Sequence, residues 1–110
     1  MIEKVVLDYL SNELNVPVVL ELEDNLPDEF VAVEKTGSSV FNHIHSATFA
    51  LQSYSNSLYG AAKLNEEVKS KMNSLIELGS IFKSNLNSDY NFTDTSTKKY
   101  RYQAVYDVYY

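Results

Sequence analysis

The chain has 110 residues, of which 45% are hydrophobic and 22% are charged, and it has no cysteine and a net charge of −6. This composition is typical of one folded domain over residues 1–110, and it excludes a disordered chain, a disulfide scaffold and a cysteine nucleophile or zinc ligand. No apolar run approaches the ~18–20 residues of a membrane span, so we expect no membrane partner and synthesis in the cytoplasm.

The first predicted element is a helix over residues 2–14, because apolar side chains recur there every three or four residues. Pro17 ends it, since the residue before a proline disfavours helical backbone. Residues 16–22 are predicted to form a short strand, and the acidic residues 23–29 a loop.

The next segments have strand character. Residues 30–35 are predicted to form a strand that ends in a turn at Thr36–Ser39, where Gly and Ser are favourable. Residues 41–54 are predicted to form a long strand, in which the odd-numbered side chains from Ala47 onward are apolar and buried.

The second half of the chain is predicted to hold one helix and two strands. The helix covers about residues 56–76, and Gly60 in its first turns indicates close packing against a neighbour. Gly79 is the predicted break after it. The remaining predicted elements are a strand at 80–86, a polar loop at 87–97 and a last strand at 99–110. The fold class is therefore α+β, in the order α-β-β-β-α-β-β, with two helices packed on a mainly antiparallel, twisted sheet of four to five strands.

The last strand carries aromatic residues on both faces. The set that alternates from Tyr100 to Tyr110 suits packing on helices, whereas the intervening set mixes charge with aromatic surface. Tyrosine is common at protein interfaces, so we predict that a second chain covers this other face. The predicted interface residues are Arg101, Gln103, Asp107, Tyr109 and, at the end of the strand, Tyr110. For any single tyrosine the alternative is ordinary core packing.

Motifs for chemistry are sparse. His43 and His45 would lie on one side of a strand, but two imidazoles do not complete a metal site. Carboxylate pairs such as Glu21 with Glu23 are more typical of a solvated loop than of an acid–base site. The three glycines are too dispersed to cradle a phosphate. We therefore expect no catalytic, cofactor or metal site.

The negative charge is concentrated at the beginning of the chain. Residues 1–29 hold eight carboxylates against one lysine, a net charge of −7, and residues 30–110 have a net charge of +1. No basic stripe is present to neutralise phosphates, so no tight nucleic-acid binding is expected.

Two segments carry a resemblance to a known family. The strand-to-helix stretch "FALQSYSNSLYGAAKLNEEVKSKM" and the terminal "YNFTDTSTKKYRYQAVYDVYY" resemble the small neck and tail-completion proteins of long-tailed bacteriophages, over about residues 42–110. The resemblance implies a non-enzymatic virion protein that forms a ring, commonly hexameric, at the head-proximal end of the tail tube. It also implies the tail tube and the neck or connector proteins as partners.

In such a ring the acidic loop is predicted to be exposed and partly to face the lumen, where negative walls would let DNA pass without adhering. Its residues are Glu21, Glu23, Asp24, Asp28 and Glu29. The loop around residues 89–99 is predicted to be mobile until a partner orders it. Two other functions stay open: a head-side completion or minor capsid adaptor added to an existing ring, and a small host protein-interaction module.

Overall fold

Amphipathic spacing produces the first helix, α1 (Ile2–Glu13), in the computed structural model, which describes all 110 residues. Its buried side chains, Ile2, Val6 and Leu10, follow the predicted apolar stripe. The helix ends where Leu14 takes an extended conformation, three residues before Pro17. The predicted helix at 2–14 is therefore confirmed.

Five strands form one sheet in the order β1-β2-β3-β5-β4. All neighbouring pairs are antiparallel except β1 with β2, which is parallel. The strands are β1 (Val18–Val19), β2 (Phe30–Phe41), β3 (Ile44–Ser55), β4 (Lys83–Asn91) and β5 (Tyr100–Tyr109). Helix α2 (Leu58–Asn73) and a short 3-10 helix (Leu75–Leu78) lie between β3 and β4. The α+β class and the mainly antiparallel sheet are confirmed.

The predicted turn at Thr36–Ser39 is wrong. Strand β2 runs through it and absorbs the irregularity as a bulge between Lys35 and Gly37. The chain reverses instead at Asn42-His43, where φ is 50° and 66°. A two-residue hairpin loop that continues the twist of its strands requires positive φ at both positions, which Asn tolerates better than most residues. His43 therefore lies in the turn and does not share a strand face with His45.

Other element boundaries also moved. Strand β1 has only two residues where 16–22 was predicted, because just Val18 and Val19 pair with β2. Strand β4 begins and ends later than the predicted 80–86. It is an edge strand of the sheet, and most of its residues are polar. Polar side chains suit such an edge because they discourage unwanted pairing with other strands.

The core lies between the helices and one face of the sheet. It is a cluster of 17 buried residues to which β3 contributes Ala47, Phe49 and Leu51, and to which β5 contributes Ala104, Tyr106 and Val108. Because strand side chains alternate, these residues all point to the same face. Burial raises the pKa of Tyr106 to about 12, and its single hydroxyl proton has two acceptors within reach, Asn73 Oδ1 at 2.8 Å and the backbone oxygen of Lys69 at 3.1 Å. Both helices therefore cover one face of the sheet, and the other is left without a helical layer.

Candidate functional site: the open face of the sheet

The face of the sheet that the helices do not cover is called here the open face. It is built from alternate positions of the neighbouring strands β2, β3, β5 and β4. Phe92, the first residue after β4, extends it. Its main side chains are Phe30, Thr48, Gln52, Tyr54, Lys83, Asn87, Tyr90, Phe92, Arg101, Gln103, Asp107 and Tyr109. The strand register brings these residues together, since β5 lies between β3 and β4.

Two amides and two tyrosines form the centre of the open face. Gln52, Gln103 and Tyr90 lie directly opposite one another on β3, β5 and β4. Gln52 Nε2 donates to Gln103 Oε1 at 2.9 Å, and Gln103 Nε2 donates to the Tyr90 hydroxyl at 2.6 Å. The Tyr54 hydroxyl donates to Gln52 Oε1 at 3.4 Å. These hydrogen bonds hold four side chains of three strands in defined positions.

Arg101 connects this centre to an aromatic cluster. Its guanidinium lies over the rings of Phe92 and Tyr54, 4.5 Å and 5.7 Å from their centroids. It also donates to the Tyr54 hydroxyl at 2.8 Å and to the backbone oxygen of Phe92 at 2.7 Å. Tyr54 stacks on Phe30 at 4.5 Å, and Tyr90 meets Phe92 edge to face at 5.8 Å. The planar guanidinium thus fixes both the aromatic rings and the start of the loop after β4.

Asp107 and Tyr109 form the other end of the open face. Thr48 Oγ1 donates to one carboxylate oxygen of Asp107 at 2.8 Å, and Asn87 Nδ2 donates to the other at 3.0 Å. Asn87 stands in the bulge of β4, between Leu86 and Ser88. The ammonium of Lys83 lies 5.4 Å from the centroid of the Tyr109 ring. The charged groups at this end are therefore held by neighbours within the same chain.

Four of the five predicted interface residues share the open face: Arg101, Gln103, Asp107 and Tyr109. Gln103 is more enclosed than expected, because its neighbours leave only 8% of it exposed. Tyr110 lies elsewhere. It packs against the core cluster and stacks on His45 at 5.6 Å, so it belongs to the helix-covered side, as its place in the alternation with Val108 requires.

Several members of the open face were missed in the sequence. The even-numbered residues of β3, such as Gln52 and Tyr54, were available from the alternation that correctly predicted the buried odd set. Tyr90 and Phe92 were assigned to a polar loop, and no local signal showed that β4 would bring them against β5.

The five residues of the acidic loop are all exposed, in the long connection between β1 and β2. Glu29 is the only one with a hydrogen bond to another element, accepting from Ser55 Oγ at 3.2 Å. Opposite this loop lie Lys98 and Lys99, across a cleft of about 330 Å³. The exposure of the acidic loop is thus as predicted, and its place in an assembly stays a prediction.

The two histidines are separated by the hairpin turn, His43 within it and His45 on β3, and both are exposed. The structure has no group of three or more His, Cys, Asp or Glu side chains placed to hold a metal ion. None of its helices combines the length and apolar character needed to cross a membrane.

No protein-family model matches the chain, and no curated protein matches its sequence.

Proposed function

We propose that this protein is a non-enzymatic structural subunit that assembles into a ring by binding a neighbouring copy through its open face. Its setting is the neck or tail of a long-tailed bacteriophage, where the ring joins the tail tube to the head connector in the manner of a tail terminator. The observation that carries the proposal is the open face, where aromatic, amide and guanidinium groups are held in a continuous network on a sheet face without a helical layer.

The network makes the open face suitable for binding because its side chains are ordered before a partner arrives. Association normally costs about 0.5–1.5 kcal/mol for each rotamer-rich side chain that becomes immobilised. Arg101, which is partly exposed, and Tyr90, which is 41% exposed, are already held by hydrogen bonds within the chain, so much of this cost has been met on folding. Tyrosine and arginine are also the residues that most often contribute large shares of binding energy.

A ring requires that two different patches of each subunit meet, so that the same contact repeats around an axis. The open face supplies one patch, and within the acidic loop Glu21 and Glu29 are exposed and lie outside the cleft lining. We place part of the acidic loop toward the lumen, where its exposed carboxylates would keep DNA from adhering. The hexameric stoichiometry and the tail and connector partners come from the resemblance of residues 42–110 to the neck and tail-completion proteins.

Mass measurement in solution tests this proposal, with and without isolated tail tubes. The free chain has a mass of 12.5 kDa, so each added subunit is resolved by sedimentation or light scattering. We expect either concentration-dependent oligomers of the free protein or recruitment of the protein to the ends of tubes. A constant mass of one chain, together with no binding to tubes, would contradict the proposal.

A further inference from the structure

The hairpin of β2 and β3 projects beyond the rest of the sheet. Strand β5 pairs with β3 only as far as Ser46, and Tyr110 adds one backbone hydrogen bond to His45. Residues 41–44 therefore extend past the neighbouring strand, and together with Val40 and His45 they form what we name the arm tip. The arm tip is strongly apolar for an exposed turn, with Val40 60%, Phe41 75% and Ile44 45% exposed.

A cleft of about 330 Å³ lies at the opposite end of the sheet. It opens where the acidic loop faces the end of β3 and the loop before β5. Its apolar lining consists of Leu22, Leu26, Pro27, Phe30 and Tyr54. Leu22 is 58% exposed, so the cleft presents unprotected apolar surface as the arm tip does.

We propose that the arm tip of one copy seats in the cleft of the next copy. Both surfaces expose apolar side chains, because the arm tip is an apolar projection and the cleft is a concave site of about 330 Å³ with apolar side chains in its lining. They are also compatible in charge. Residues 36–54 contain no Asp, Glu, Lys or Arg, and their two histidines would approach a rim that holds Glu23, Asp24 and Asp28 beside Lys98 and Lys99.

The contact must join different molecules. Strand β2 has 12 residues and runs from the cleft at Phe30 to the arm tip at Phe41. At a rise of about 3.3 Å per residue the two sites are about 36 Å apart, so a chain cannot fill its own cleft. Contacts of this head-to-tail kind close into a ring or grow into a filament, depending on the rotation between copies.

This contact is distinct from the one proposed for the open face. Of the open-face residues it uses only Phe30 and Tyr54, which form walls of the cleft. A tip of six residues buries less than the ~1,200–2,000 Å² of a stable interface. The contact is therefore weak between two free copies, and a covalent cross-link is needed to trap it.

Cysteine cross-linking tests the contact directly, since the chain contains no cysteine. Under mild oxidation the double variant Val40→Cys/Leu22→Cys should form a ladder of covalent oligomers. Each single variant should remain mainly monomeric. The matched control Val40→Cys/Ile76→Cys places the second thiol on the 3-10 helix, at a residue 49% exposed and outside the cleft, and should form no ladder.

Absence of a ladder from the first double variant, or an equal ladder from the control, would overturn the inference. A strong dimer from Val40→Cys alone would overturn it in favour of symmetric pairing between two arm tips. As a second measurement, Phe41→Ser should weaken self-association at least about tenfold, and Phe82→Ser, another exposed phenylalanine outside the arm, should not. Addition of Tyr109→Ala separates the two proposals, because it should leave the cross-linked ladder in place even where it abolishes binding through the open face.

Discussion

Substitution of Arg101 by lysine tests whether the open face is held in place by the planar guanidinium. Lysine keeps the positive charge, but it cannot donate in a fork to the Tyr54 hydroxyl and the Phe92 backbone oxygen, which lie 2.8 Å and 2.7 Å from the guanidinium. It also loses the stacking over the Phe92 ring at 4.5 Å. The variant therefore changes geometry while the net charge stays at −6.

The expected loss follows from these contacts. Each hydrogen bond contributes a net ~0.5–1.5 kcal/mol, and an exposed cation–π contact contributes ~0.5–1 kcal/mol. Because lysine retains part of the cation–π attraction, we expect Arg101→Lys to lower the free energy of unfolding by about 1–3 kcal/mol. For a domain of about this size, each kcal/mol lowers the melting temperature by about 4–8 °C.

Thermal unfolding followed by circular dichroism measures the loss, and amide exchange locates it. Amide exchange should accelerate in residues 92–99, because the Arg101 side chain holds Phe92 at the start of this loop. The two residues are also joined by a backbone hydrogen bond, in which the Phe92 amide donates to the Arg101 oxygen at 2.9 Å. The matched control is Lys83→Met, which removes only the ammonium over Tyr109 and should cost less than about 1 kcal/mol. An Arg101→Lys variant with unchanged stability and unchanged exchange in this loop would refute the argument that the guanidinium organises the open face.

Three further predictions concern the acidic loop, the start of α2 and the core tyrosine. Replacement of Glu21, Glu23, Asp24, Asp28 and Glu29 by lysine should create salt-sensitive retention of DNA by the assembled protein; assembly without any DNA affinity at low salt would show that the loop does not face the lumen. Gly60→Ala should lower the melting temperature despite the better helix propensity of alanine, because its Cβ would collide with Ser55 Oγ and crowd the helix cap Ser57; an unchanged or higher melting temperature would contradict this. Because burial raises the pKa of Tyr106 to about 12, the folded state holds this proton more tightly than the unfolded state, whose pKa is near 10. The contribution of protonated Tyr106 to the free energy of unfolding should therefore be complete below pH ~10 and be lost as the pH rises toward 12. When the free energy of unfolding is measured across this pH range, it should fall less steeply in Tyr106→Phe.

The faces of the strands could be predicted from the sequence because alternation is a local property. In β5 the assignment of Ala104, Tyr106 and Val108 to one face and of Arg101, Gln103 and Asp107 to the other required only a period of two. The same argument assigned Tyr110 to the helix-covered side by parity, and its inclusion in the interface set departed from the alternation.

The hairpin turn was not predicted because the residues typical of turns lie at one position and the backbone conformation of the turn occurs at another. Gly37 and its serine neighbours look like a turn, yet Gly37 follows a bulge in β2, and the reversal depends on positive φ at Asn42 and His43. Asn42 was the available signal, since Asn adopts this conformation more readily than most residues.

The network of the open face could not be predicted because it depends on strand order. Gln52 and Gln103 are 51 residues apart in the sequence, and they meet only because β3 pairs with β5. Tyr90 completes the network because β4 pairs with the other edge of β5. The residues of this edge strand are mostly polar, so they carry little of the apolar alternation that predicts a strand.

The measurement that tests the central claim most directly is a paired assay of Tyr109→Ala. Dilute thermal unfolding reports on the isolated chain, and binding to tail tubes or ring formation reports on assembly. Tyr109 lies on the open face at the end of β5, partly exposed, so its truncation should cost about 1–3 kcal/mol at each interface and little in the monomer. The matched control is Tyr59→Ala, a tyrosine 79% exposed on α2 and away from the open face.

We predict that Tyr109→Ala retains the melting temperature of the isolated chain and loses assembly, while Tyr59→Ala retains both. A large fall in the melting temperature would show that Tyr109 stabilises the monomer as a core residue. Normal assembly of a folded Tyr109→Ala variant would contradict the claim that the open face joins neighbouring copies.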